Sequence, residues 1–234
     1  TDLPWSQRMA ETIMHDFPEL WRTEEADKID WSYTKGLASD AFISLWKETG
    51  DHRYLNYAMA WADTMINDEG EIYGYNMEEF NIDKINPGKM LFELYEETED
   101  PRYEIAIKTL REQLVNHPRT EAGGFWHKQR YPHQMWLDGL YMGGVFYARY
   151  GVEYNEPQSV DEAVHWITLM EEKSRDPETG LLYHAWDESR EQLWADKETV
   201  LSPHFWGRAM GWYGMALVDM LDYLEGHPGR EEVI

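Results

Sequence analysis

The sequence contains no cysteine. That excludes disulfides, thiolate nucleophiles and Cys-ligated metals, and suits a reducing compartment. It also lacks any run of about 18 apolar residues, the length a helix needs to cross a bilayer. Its most apolar stretches are broken by Asp138, Arg149, Arg208 and Asp219. The first twenty residues, TDLPWSQRMAETIMHDFPEL, have no basic head followed by an apolar block, so a cytoplasmic chain without a leader is expected. Basic residues are scarce: 21 Lys and Arg stand against 45 Asp and Glu, a net charge of −24. No basic cluster exceeds two or three residues, which argues against a nucleic-acid partner. Exposed charges are screened over about 8 Å at physiological salt, so local cations decide what a pocket binds. There is no HExxH and no close histidine pair, so the histidines make no zinc signature. Strand signals are few; GEIYGYN and GLLYHAW read as extended loop pieces.

What is present is helix punctuation. Asp51 precedes HRYLNYAMAWADTM, Asp100 with Pro101 precedes RYEIAIKTLREQL, and Asn86 with Pro87 precedes GKMLFELYEET. Each pairs a cap side chain with a permissible first-turn residue. Ser159 with Glu162 reads as a capping box, and Ser202 with Pro203 as the opening of HFWGRAMGWYGMALVDMLDYL. The string Thr49-Gly50-Asp51-His52-Arg53-Tyr54 returns forty-nine residues later as Thr98-Glu99-Asp100-Pro101-Arg102-Tyr103, with a weaker echo at Tyr150 to Tyr154. A period near fifty with two helices per copy predicts stacked helical hairpins, roughly eight helices in all. Gly139 with Gly143 and Gly207 with Gly211 are each four apart, so each pair lies on one helix face and predicts close approach of a neighbour or ligand. Aromatic loops such as GGFWHKQRYPHQ and TGLLYHAWDE lie between helices, where sites are commonly built.

Within HQMWLDGLYMGG (133 to 144), Asp138 is the one acid among aromatic and apolar residues. On a helix starting near Gln134 it shares a stripe with Tyr141, Met142 and Val145, which predicts that it faces inward. Burial raises a carboxyl pKa and a helix N-terminus lowers it; a group between these pulls suits acid–base work. It also suits a first-turn Asp bonding free amides. Asp83, in NIDKINPGK, lies fifty-five residues earlier, near one repeat length, and so at an equivalent level of a neighbouring hairpin. Paired carboxylates across a cleft equip glycosidic chemistry. His127, Lys128, Arg130 and His133 crowd the loop before Asp138, and His184 lies in a similar loop. Arg208 falls on a stripe with Phe205 and Trp212 and reads either as a carboxylate clamp or as a stem lying on aromatic surface. Trp136 and Trp206 offer flat faces to a sugar ring or to the core.

WLDGLYM, with HFWGRAMGWY downstream and WSYTKG (31 to 36) and NIDKINPGK upstream, resembles the unsaturated rhamnogalacturonyl hydrolases, glycoside hydrolases of pectin degradation. The resemblance runs from about Trp31 to Pro228. It implies an all-α, six-hairpin (α/α) barrel of twelve helices. Residues 1–234 are then expected to be one such domain, with about eight of the twelve helices and without its C-terminal third. The resemblance further implies an unsaturated uronic-acid oligosaccharide as substrate and neither a metal nor a cofactor. An aspartate protonates C4 of the enol ether, water adds at C5, and the hemiketal opens to release the sugar. By resemblance Asp138 is that acid and base, and Asp83 is the second acid. His127, Lys128, Trp136, His184, Trp206, Arg208 and Trp212 line the sugar subsite. Unsaturated glucuronyl hydrolases have a similar fold and chemistry. An inverting glycosidase on the same barrel and a non-catalytic helical-repeat binding module are the alternatives.

Overall fold

The computed structural model describes residues 3–24 and 29–234. The chain divides into two compact units, Thr1–Tyr75 with Lys84–Leu110, and Asn76–Asp83 with Arg111–Ile234. Eight helices of nine or more residues run through the described residues, and the one sheet there has two short strands.

The first unit holds α1 (Trp5–Asp16), α2 (Tyr33–Thr49), α3 (His52–Met65), α4 (Lys89–Thr98) and the start of α5 (Pro101–Asn116). The sequence repeat is realised here as one corner built twice. Thr49 and Thr98 each donate a side-chain bond to the carbonyl four residues back, Leu45 and Leu94. The next residues, Gly50 and Glu99, turn the chain through the left-handed region at φ 73° and 55°. Asp51 and Asp100 then cap the following helix by accepting from the amides of Arg53 and Arg102. Each arginine grips its own cap and one more carboxylate, Glu11 for Arg53 and Asp63 for Arg102. The tyrosine that follows donates to that same carboxylate, Tyr54 to Glu11 and Tyr103 to Asp63. Six residues thus encode a whole helical-hairpin corner.

The Asn86 cap is not realised. Its helix starts as a 3-10 turn, Asn86–Gly88, before α4, and both polar atoms of the buried Asn86 side chain lack a hydrogen-bond partner. Gly36 explains the crowding, since a Cβ there would stand 2.7 Å from Asn86 Oδ1.

The second unit pairs β1 (Gln134–Trp136) antiparallel with β2 (Ala185–Asp187). The chain enters α6 (Leu137–Gly139) directly from β1, passes through a π turn, Leu140–Gly144, and continues as α7 (Val145–Glu153). Then follow α8 (Pro157–Ser174), α9 (Gly207–Leu221) and α10 (Arg230–Val233). Three expected helix starts move. Gln134 to Trp136 are strand, because their partners in β2 claim their backbone groups, so the helix begins at Leu137. Residues 203 to 206 stay outside the helix, with bends at 203 and 204 and Phe205 bridged to Tyr183, and α9 starts at Gly207 instead of beside Pro203. The expected Ser159 capping box lies inside α8, which opens earlier with Pro157 in its first turn. Ser159 bonds Glu156, and Glu162 serves Arg119 and Tyr147.

The two glycine pairs part company. At Gly139 a Cβ would sit 3.2 Å from both His127 and Trp166; at Gly143 it would sit 3.0 Å from Ile82 and 3.4 Å from Trp166. Trp166 of α8, only 2% exposed, lies along this bare stripe. Around Gly207 and Gly211 nothing lies within 4 Å, so the close approach expected there is not made among the described residues. No helix among the described residues is long and apolar enough to cross a membrane.

Candidate active site

The junction of β1 and α6 presents Asp138. Its helix stripe points inward as expected: Tyr141, Met142 and Val145 are all buried. Asp138 is half-buried, and its Oδ2 is enclosed without a hydrogen-bond partner. Burial raises its pKa above the usual carboxylate range, and the charge of Asp83 adds to the rise. His127, His184 and the Asp138 amide pull the other way. The π turn follows at once, a local irregularity common at working sites.

Asp83 is held quite differently. It lies in a 3-10 turn, Ile82–Lys84, and accepts from His127 Nε2 at 3.1 Å and from Lys128 Nζ on its other oxygen. Burial alone would raise its pKa, but His127 and Lys128 outweigh burial and hold it well below the usual carboxylate range. The pKa values of two acids of one unit are therefore pushed in opposite directions: Asp83 down, which keeps it ionised at neutral pH, and Asp138 up. Divergent pKa values within one site mark acid–base assignments.

The candidate rings gather around this pair. His127 stacks on Trp136 with centroids 4.3 Å apart and planes 11° apart, so one Trp136 face is taken by protein. Tyr131 runs parallel to the same indole at 5.1 Å. His184 meets Trp136, Trp194 and Trp206 at 6.4, 6.4 and 5.5 Å, and its backbone carbonyl accepts from Leu137 next to Asp138. Burial lowers the His184 pKa, which favours a neutral ring. Trp212 is buried and stacks on Tyr141 at 5.0 Å, so it backs the site from within. Trp206 is 41% exposed, and the exposed guanidinium of Arg208 lies 4.0 Å over its ring. Indole and guanidinium together offer a surface for a flat ring that carries a carboxylate.

Sequence reasoning passed over three participants. Trp166 fits beneath the Gly139–Gly143 stripe, Tyr131 flanks Trp136, and Trp194 touches His184. Tyr131 stood in the quoted aromatic loop. Trp166 sits in a long amphipathic helix with no local sign of its neighbour. Among the described residues no group of three or more His, Asp or Glu side chains is arranged to hold a metal ion.

Residues 5–234 match the profile of Glycosyl Hydrolase Family 88. An unsaturated rhamnogalacturonyl hydrolase of Bacillus subtilis, YesR, is 27% identical over 205 residues, covering 85% of this chain and 56% of that protein. A Clostridium acetobutylicum glycoside hydrolase of family 105 superposes with a TM-score of 0.93 at 45% identity, covering 99% of this chain and 62% of that one. A possible family 105 member from Salmonella enterica superposes at 0.73 with 27% identity, covering 88% and 52%. The helical-hairpin barrel fold expected from the motifs is the fold of these relatives. The chain spans about half to three-fifths of their length.

Proposed function

The chain belongs to Glycosyl Hydrolase Family 88, and from that premise we propose that it is a glycoside hydrolase. It removes a 4,5-unsaturated galacturonyl residue from rhamnogalacturonan oligosaccharides by hydrating the vinyl ether. The observation that carries the reading is the inequality of the two acids: Asp138 is pushed toward its protonated form, and Asp83 is pinned as a carboxylate.

Hydration of an enol ether begins with proton transfer to carbon, which needs a carboxylic acid that keeps its proton near neutral pH. Asp138, whose pKa burial raises, is assigned that role, with an enclosed oxygen free of internal bonds. Protonation at C4 leaves positive charge on C5 and the ring oxygen. The fixed negative charge of Asp83 favours that charge. The Asp138 carboxylate, having given up its proton, then takes one from the water that adds at C5. The resulting hemiketal opens and releases the rest of the oligosaccharide. Asp83 itself is a feeble base, because its pKa is depressed and both its oxygens are engaged. That speaks against the two-carboxylate inverting scheme, which needs a competent general base.

In this reading Arg208 takes the uronate carboxylate, and Trp206 and His184 border the sugar ring. Trp136 and Trp212 shape the wall. His127 and Lys128 hold Asp83 ionised beside it. The name of the Bacillus relative supports the substrate class.

The test follows the ultraviolet absorbance of the conjugated alkene of an unsaturated galacturonyl-rhamnose disaccharide, with an unsaturated glucuronyl-hexosamine disaccharide in parallel. Absorbance should fall with the first, and Asp138→Asn should abolish the fall while retaining binding. Unchanged absorbance with both, or cleavage of saturated oligosaccharides, overturns the proposal.

A further inference from the structure

His127 is 2% exposed, too enclosed for its ring to be an open contact surface. Its bonds run to both acid-bearing segments. On one side its carbonyl accepts from the Ile82 amide at 3.1 Å, and its Nε2 meets the Asp83 carboxylate at 3.1 Å. On the other side its amide donates to the Gln134 carbonyl at 2.7 Å, in the strand that runs straight into Asp138. Its ring lies flat on Trp136, two residues before Asp138. Its Nδ1 is buried without a partner and faces Gly139, where a Cβ would come within 3.2 Å. One residue thus touches the turn of the first acid and both flanks of the second.

We propose that His127 is a positioning residue that couples the two acids: its ring fixes Asp83 and braces the Trp136–Gly139 segment that aims Asp138, in space left by the missing side chain of Gly139. The role gains its meaning from the proposed reaction, on which it rests, but the geometry can be probed without turnover. The titratable groups around Asp138 are His127, Asp83 and His184, with Lys128 on the far oxygen of Asp83. Helix α8 presents the uncharged Trp166 to the Gly139 face, and α9, packed on α6, carries Arg208 over Trp206. Of these, His127 is the one that bonds Asp83 and also contacts the residues flanking Asp138. When protonated, its ring favours the Asp138 carboxylate, and Asp83 opposes it.

The experiment titrates the Asp138 carboxyl by carbon-13 NMR in the whole chain, with the signal assigned by its absence in Asp138→Asn. His127→Phe keeps a ring against Trp136 but removes the link to Asp83. The Asp138 midpoint should rise by about one unit or more, the scale of a nearby opposite charge. His227→Gln, which breaks an outlying contact with Asp161, should leave it unchanged. Gly139→Ala retains every charged group and presses its new Cβ on the His127 and Trp166 rings, so a smaller shift of the Asp138 midpoint is expected. A midpoint that is unchanged or lowered in His127→Phe overturns the proposal. Should that variant not fold, an unchanged midpoint in folded Gly139→Ala does the same. Because the readout needs no substrate, its failure is distinct from failure of the absorbance assay.

Discussion

Acidifying the protein from pH 6.5 to pH 4.5 should destabilise it through one histidine that never meets substrate. His117, at 4% exposure, lies edge-on to Phe80 and Phe125. Its Nε2–H donates to the Trp126 carbonyl at 2.7 Å, and Gln113 approaches its Nδ1 at 3.4 Å. Burial, reinforced by the charges of His127 and Arg119, pushes its pKa down to about 3, although the bond to Trp126 resists. In the unfolded chain the ring titrates near 6.5. Below that pH the unfolded state binds a proton that the folded state refuses, so stability falls with acid by about 1.4 kcal/mol per pH unit and levels off only near the folded value. From pH 6.5, where the unfolded ring is half-protonated, to pH 4.5 the loss is about 2.3 kcal/mol, a large share of a typical domain's stability. His184, also lowered, adds to the loss; Asp138, raised, opposes it; Asp83 enters only at more acid pH. Comparison with His117→Gln, which keeps a donor for the Trp126 carbonyl, isolates the one ring. Urea unfolding followed by tryptophan fluorescence across the window should show a pH slope that is shallower in the variant by about 1.4 kcal/mol per unit. Parallel slopes for the two proteins refute the reasoning.

Two further outcomes follow from the same geometry. Lys128→Met leaves Asp83 with His127 alone and should cost about 1.5–3 kcal/mol at neutral pH, the usual worth of a charged hydrogen bond. Thermal unfolding should show the deficit shrinking below about pH 4, where the unfolded chain binds the proton that folded Asp83 still refuses. The glycine pairs should separate under the same assay. Gly143→Ala, with its new Cβ 3.0 Å from Ile82, should lose about 1–3 kcal/mol through overpacking. Gly211→Ala, with open space around it, should be neutral or gain up to about 1 kcal/mol from helix propensity.

Local chemistry was legible in the sequence and long-range occupancy was not. The Thr-x-Asp-x-Arg-Tyr corner could be read twice because its threonine and aspartate bonds are made within a few residues of themselves. The inward stripe of Asp138 was legible because helical spacing alone fixes it. The helix starts at Gln134 and beside Pro203 were misread because strand partners distant in sequence, Asp187 and Tyr183, take those segments' backbone groups. The same holds within the candidate site. Nothing near His127 in the sequence announces that its ring spends one face on Trp136 and one nitrogen on Asp83. The glycine pairs look alike as letters and differ only in what stands opposite them.

The π turn at Leu140–Gly144 separates the aim of Asp138 from the packing of α7. An uninterrupted helix is a rigid ruler, and rotating its far end rotates its first residue by the same angle. A wide turn one step after the carboxyl works as a slip joint: the buried body can be re-seated against α8 while the strand and the His127 ring keep the acid on target.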